Sequence, residues 1–226
     1  SRPFRAPHHT ASAAALVGGG RTLAPGEISR AHNGVLFMDE LPEFNRTVLE
    51  SLREPLETGS VRIARAGVHA VFPARFQLVA AMNPCPCGFL GDEKSDCRCS
   101  ADRVTSYRNK VSGPLLDRID LHVEVLRPTT ETLREGDPAA ERSKEIAVRV
   151  ENARQVQLER AGVTNALLEG DRLEKSCQLD DRCWSLLEAA ADRFNLSARA
   201  HQRILRVART IADLAGRKKI APPHVA

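Results

Sequence analysis

Asp39 and Glu40 directly follow an apolar run in "GVLFMDELPEF", residues 34–44. A carboxylate held in low dielectric without a partner costs several kcal/mol. Two acids closing a buried strand therefore serve a cation, polarise a water, or cap the next helix, where negative charge is favoured. In the first two cases Asp39 would hold Mg²⁺ on a nucleotide and Glu40 would activate an attacking water. Asn83 ends a second apolar run, "FQLVAAMNP", and is of a type that can orient that water beside the γ-phosphate. A second set of reactive residues is Cys85, Cys87, Cys97 and Cys99 in "CPCGFLGDEKSDCRC". Two C-x-C pairs can supply four thiolates to tetrahedral Zn²⁺, as a structural clamp with no catalytic role. Reduced thiols and disulfides are the alternatives, and disulfides are disfavoured because no secretory signal opens the chain. Cys177 and Cys183 read as ordinary helical residues. Adjacent His8 and His9 point apart and lack a third ligand, so a loop role is expected for them, and His32 reads as structural.

These groups need elements to hold them. "NGVLFMDE" and "FQLVAAMNP" are short continuous apolar runs bounded by turn residues, the pattern of parallel core strands. "RIDLHVEV" alternates Ile119, Leu121, Val123 and Val125 and predicts a third strand. "NRTVLESLREPLETG" predicts a helix capped by Asn45, with Val48, Leu49, Leu52 and Leu56 inward and a kink from Pro55. "VRIARAGVHAVF" predicts a hairpin turning near "ARAG". Strands separated by helices argue for a wound α/β sheet, in which ligands sit beyond the carboxyl ends of the strands. From about residue 128 a polar, turn-rich stretch leads into helices at "KEIAVRVENARQVQLERAG", "QLDDRCWSLLEAAADRF" and "SARAHQRILRVARTIADLAG". On the last, Ile204, Leu205, Val207, Ala208, Ile211, Leu214 and Ala215 are expected to share the buried side. Arg199, Arg203 and Arg206 are expected opposite it, with Arg199 at the N-terminal edge that favours an anion.

Four segments in this order, "TLAPGEISRAHNGVLFMDELPEF", "VRIARAGVHAVFPARFQLVAAMNP", "SGPLLDRIDL" and "SARAHQRILRVARTIADLAG", resemble the AAA+ clade of magnesium-chelatase ATPase subunits and MCM helicases. "RPFRAPHHT" and "AHNGVLFMDELPEF" are most similar to the Mg-chelatase-like family called YifB or ComM. The resemblance spans nearly the whole chain. It implies part of a P-loop NTPase α/β core over residues 1–127 and a helical lid over 128–226. It also implies roles: Asp39 and Glu40 as the Walker B pair, Asn83 as sensor 1, Arg118 as an arginine finger reaching a neighbouring subunit's nucleotide, and Arg199 as sensor 2. From the residues alone, the preferred reading of Arg118 is a surface salt bridge with Asp117 or Asp120. The hairpin matches the one that MCM helicases point into their channel, so Arg62 or Arg65 would track a nucleic-acid backbone. Packing between subunits is the other reading of that hairpin.

The family's phosphate loop, G-x-x-x-x-G-K-[ST], has no counterpart here, since no Gly-Lys-Ser/Thr occurs and "LVGGGRT" lacks the spacing. That loop is expected upstream of Ser1, so the chain is expected to carry half of an ATPase site and to be nearly silent alone. The implied intact protein is an ATP- and Mg²⁺-dependent ring, taken as a hexamer. It would act on single-stranded or branched DNA, as in branch migration during natural transformation. Two alternatives remain: a chelatase-like remodeller of metal or protein clients, and a non-enzymatic zinc-stabilised assembly module. Composition narrows the mode of DNA binding. Net charge is only +4 and aromatics are 4% of 226 residues, so backbone charge rather than base stacking must carry it. No apolar run approaches a membrane span, and a cytoplasmic location is expected.

Overall fold

A side chain at position 34 would collide with the backbone of Pro3, because a Cβ there would stand 1.9 Å from the Pro3 carbonyl oxygen. Glycine removes the collision and lets two strands meet. In a computed structural model, residues 2–19, 23–65, 68–92, 95–128, 130–135 and 140–226 are described. The chain opens with β1 (Phe4–Arg5), α1 (Ala13–Val17), the short ladder of β2 (Gly18–Gly19) with β3 (Ala24–Pro25), and α2 (Glu27–Arg30). The apolar run then forms β4 (Val35–Met38), followed by α3 (Arg46–Ser51) and α4 (Arg53–Thr58). Next come β5 (Ser60–Arg65), β6 (Val68–Pro73), β7 (Gln77–Ala80), α5 (Ala101–Arg108) and α6 (Gly113–Leu116). The remainder is helical: α7 (Thr130–Glu135), α8 (Ser143–Ala161), α9 (Gly170–Ser176), α10 (Asp181–Phe194), α11 (Ala198–Leu214) and α12 (Pro222–Val225).

The chain divides into two compact units at Val125/Leu126. In the first, β1, β4 and β7 form a parallel sheet with β4 in the centre. Leu36 and Met38 point from β4 into a core completed by Leu16, Ile28, Leu49, Leu52 and Leu115. The fold class is thus a mixed α/β core with a parallel sheet, followed by helices. Asn45 caps α3 through Oδ1, which accepts from the Thr47 amide at 2.9 Å. The expected helix breaks into α3 and α4 at Leu52. Pro55 has no N–H to give the carbonyl four residues earlier, which accounts for the break. A two-residue β1 was not expected, since "FRAP" has neither the length nor the pattern of a strand.

The third expected strand does not form. Residues 119–128 carry no ladder among the described residues, and Leu121, Val123 and Val125 are exposed. The alternation is right for a half-buried strand, but a strand holds only where a neighbour takes its backbone hydrogen bonds.

The second unit packs Leu168, Leu173, Cys177, Cys183, Leu187, Leu205, Ala208, Ala212 and Ile220 together. The expected face of α11 needs correction. The buried stripe is Leu205, Ala208, Arg209, Ala212 and Asp213, while Ile211 and Leu214 are exposed. Polar residues took the inner face because they satisfy one another there, as the next section describes.

Candidate functional site

β4 and β7 run parallel, with Met38 opposite Ala80, so both strands end on the same side of the sheet. Beyond the ladder, the Ala81 amide donates to the Met38 carbonyl at 3.0 Å and the Leu41 amide to the Ala81 carbonyl at 2.9 Å. Those two bonds hold the segments carrying Asp39, Glu40 and Asn83 side by side, and all three residues are exposed. One Asp39 oxygen accepts from the Glu40 amide at 2.9 Å. Glu40 sits in the left-handed region at φ 52°, which is rare for a residue with a Cβ and turns the chain sharply into a 3₁₀ turn at Leu41–Glu43. Capping of the next α-helix falls to Asn45, so the two acids are not spent on that task.

Glu40 Oε2 lies 3.0 Å from His9 Nδ1. The His9 ring packs against His8 with centroids 4.1 Å apart and a tilt of 36°, and it meets Phe44 edge-on at 6.4 Å. The histidines lie in a loop as expected, but their rings pack together instead of pointing apart, and the contact of His9 with Glu40 is not foreshadowed in the sequence. Only the parallel pairing of β1 with β4 brings position 9 to the acids, and no spacing signals it. His32 is structural as expected, accepting from the Arg75 amide at 3.0 Å.

Arg118 follows α6. Its Nη1 donates to the Pro114 carbonyl at 2.7 Å, and Nη2 pairs with Glu57 at the end of α4. The side chain is 15% exposed and Nε is buried with no partner. Its carboxylate comes from 61 residues away in the chain, which neighbours such as Asp117 or Asp120 did not foretell. Arg199 lies in the first turn of α11 in the second unit, exposed, after a Ser197 cap that accepts from the Ala200 amide at 3.2 Å.

The hairpin forms as expected, with register Val61 to Phe72, Arg62 to Val71 and Arg65 to Val68. Val61 is buried beneath it, while Arg62 and Val71 face outward. Arg62 is 71% exposed with Glu54 4.0 Å away. The side chain of Arg65, and the turn residues 66 and 67, lie outside the described part of the hairpin.

Two residues past Asn83 the chain enters the cysteine cluster. Cys85, Cys87, Cys97 and Cys99 bring their sulfurs within 4.8 Å of one another. The Sγ–Sγ distances are 3.3 Å for Cys85–Cys87, 3.7 Å for Cys85–Cys97 and 3.6 Å for Cys87–Cys97. A disulfide would need about 2.05 Å, so these are free thiols. Backbone amides of Phe89 and Arg98 bring the Cys87 thiol down to about 6. The Cys99 amide pulls Cys97 the same way, but burial and the sulfurs of Cys87 and Cys85 push it up to about 12. Cys85 is also held below the ordinary thiol value, against burial, while burial holds Cys99 above it; negative sulfurs this close repel, and a divalent cation removes that conflict. The four are close enough to hold a metal.

A second polar cluster has no signal in the sequence. In the second unit Arg160 forks onto Asp213, with both N–O distances 2.7 Å. Arg209, 2% exposed, reaches Asp213 at 3.1 Å and the carbonyls of Lys218 and Arg217 at 2.9 and 2.6 Å. Asn165 donates to Asp213 at 2.8 Å and accepts from Arg160 at 2.7 Å. Burial works against the Asp213 carboxylate, but Arg160, Asn165 and Arg209 outweigh it and hold its pKa below the ordinary value. Burial pushes Arg209 down. Arg206 is also not a solvated cation: its Nε donates to the Leu168 carbonyl at 2.9 Å.

Comparison with known proteins gives two family matches. The family described as magnesium chelatase, subunit ChlI, matches residues 1–133, and its C-terminal counterpart matches 140–226. The competence protein ComM of Haemophilus influenzae is 51% identical over 226 residues, covering 100% of this chain and 44% of the relative. The YifB protein of Salmonella typhimurium is 46% identical, covering 99% of this chain and 44% of the relative. A more distant likeness, 29% over 114 residues, is to the DNA replication licensing factor mcm6 of Schizosaccharomyces pombe, covering 50% of this chain and 11% of that protein. The chain thus spans less than half the length of the ComM and YifB relatives.

Proposed function

This chain belongs to the magnesium chelatase ChlI family, alongside the ComM and YifB proteins, and from that membership we propose that it is part of an ATP-hydrolysing ring motor that acts on DNA. One observation carries the reading: Asp39, Glu40 and Asn83 are exposed together at the carboxyl end of adjacent parallel strands. Asp39 offers a hard oxygen of the kind Mg²⁺ prefers, and its other contact, the Glu40 amide, fixes the carboxylate's orientation. Bound Mg²⁺ would neutralise charge developing on the phosphates. Glu40 takes a proton from the attacking water, and the Asn83 amide aligns that water. Arg118 serves a neighbouring copy's nucleotide and Arg199 the γ-phosphate of its own, in a ring taken as a hexamer.

DNA is the client that the relatives' names favour, one being a competence protein and another a DNA replication licensing factor. The finer reading is ComM-like branch migration in natural transformation. Arg62 and Arg65 on the hairpin meet the phosphate backbone. The cysteine cluster holds one structural Zn²⁺: about 2.3 Å per Zn–S bond at tetrahedral angles requires sulfurs about 3.8 Å apart, near the spacings found.

The test is ATP turnover by the intact protein with and without branched or single-stranded DNA. Stimulation by DNA is expected. Turnover that ignores DNA would instead favour the chelatase-like remodeller, which the family description supports. Absence of turnover, unchanged by Glu40→Gln, would leave the assembly module.

A further inference from the structure

The four thiols are placed at two particular points of the chain. The first pair begins two residues after Asn83, at the end of the segment leaving β7. The second pair ends at Cys99, and the next residue, Ser100, is the N-cap of α5, its hydroxyl accepting from the Arg103 amide at 3.4 Å. α5 then runs back. At its far end Arg108 Nε donates to the Pro84 carbonyl at 3.2 Å, and Tyr107 is buried at 5% exposure. Burial and Glu43 push the Tyr107 phenol pKa up, and a hydrogen bond with the Asn83 backbone opposes them. The path from Asn83 through Pro84, the first thiol pair, the second thiol pair and α5 therefore returns to Asn83. The remaining joint is the meeting of the two thiol pairs, where the sulfurs touch at 3.7 Å for Cys85–Cys97 and 3.6 Å for Cys87–Cys97.

We propose that a zinc ion on Cys85, Cys87, Cys97 and Cys99 closes this ring and is the positioning device for Asn83. The functional importance of that positioning rests on reading Asn83 as the water-aligning amide. The physical ground is loop closure. Cys85 and Cys97 are 12 residues apart, and the two arms meet there through sulfur contacts and the Arg98 amide at the Cys87 thiol, weak bonds that four Zn–S bonds would reinforce. With a cation bound, the exit of β7 and the start of α5 become a single rigid body, and the side chain at 83 is presented at a fixed angle. The site has a task at a distance from its own ligands, which a knot in a surface loop would not have.

The experiment strips metal from the intact protein under reducing conditions and titrates Zn²⁺ back. Backbone hydrogen exchange and steady-state ATP kinetics are the readouts. Stripping should quicken exchange at 81–87 and at 104–108, leave 35–38 and the second unit unchanged, and one equivalent of Zn²⁺ should reverse it. Replacing Zn²⁺ with Co²⁺ should give the charge-transfer absorption of a tetrahedral thiolate site. kcat should fall by about a hundredfold, the scale of a misplaced catalytic geometry, with KM little changed. A Cys97→Ser/Cys99→Ser variant should reproduce the stripped state without any chelator. The proposal is overturned if no equivalent of zinc binds, or if zinc binds and exchange at 81–87 does not move. If exchange responds to zinc while Asn83→Ala leaves turnover intact, the clamp stands and the hydrolysis role of Asn83 falls.

Discussion

Two clusters in this molecule each bring an aspartate and an asparagine together and behave as opposites. At the end of the parallel sheet, Asp39, Glu40 and Asn83 stand exposed, with His9 the nearest ring. In the helical unit, Asp213, Arg209, Arg160 and Asn165 are locked together, and the Asp213 side chain is 1% exposed. The second cluster has no capacity left for a ligand, since its donors and acceptors face one another. The first stays exposed, with one Asp39 oxygen on the Glu40 amide and one Glu40 oxygen against His9, and its backbone bends into a left-handed turn at Glu40. The difference separates polar groups that hold a fold from those available for chemistry. It also predicts that the two clusters fail in different ways.

The largest stability effect should come from Asp213→Ala. It strands Arg209 as a buried uncompensated charge, and the loss should be about 3–5 kcal/mol in denaturant unfolding of the helical unit. Asp39→Ala should change stability by less than about 0.5 kcal/mol, because it is an exposed position. Equal losses at the two sites would break the comparison.

A smaller effect is expected between these extremes at Glu57→Gln, which removes a partly exposed carboxylate from a largely covered Arg118. About 1 kcal/mol is expected, the upper range for a pair reached by solvent. The same variant with Arg118→Ala should show that the two losses are not additive.

Acid should find the buried cluster too. The folded pKa of Asp213 lies below its unfolded value, about 3.9. The stability that it contributes is therefore complete above that value and lost as pH falls through the lower folded pKa. Acid unfolding followed by circular dichroism should show the helical unit weakening below about pH 4. In Asp213→Asn that component should be absent. The smallest change is expected at the hairpin, where Arg62→Ala should lower the slope of log affinity for DNA against log salt by about 1 and leave the fold unchanged.

The site was more legible than the scaffold around it. β4 and β7 announce themselves as continuous apolar runs, and acids or amides at the ends of such runs have few structural reasons to be there. The hairpin declares itself by alternation. β1 does not, since two residues carry no period, and with it went the approach of His9 to Glu40. Residues 119–125 have the alternation of a strand and lack the neighbour that makes one. On α11, Arg209 and Asp213 are spaced like an exposed helical ion pair. Their burial depends on Arg160 and Asn165, which lie far from them in sequence, and no local pattern records that.

The central claim is that the exposed acids at the sheet end act on ATP. Nucleotide binding and turnover measured side by side in the intact protein carrying Glu40→Gln test it most directly. Binding of ATP with Mg²⁺ should persist, while hydrolysis drops by about 10²- to 10⁴-fold, the share of a lost general base. Turnover equal to that of the unaltered protein would contradict the account.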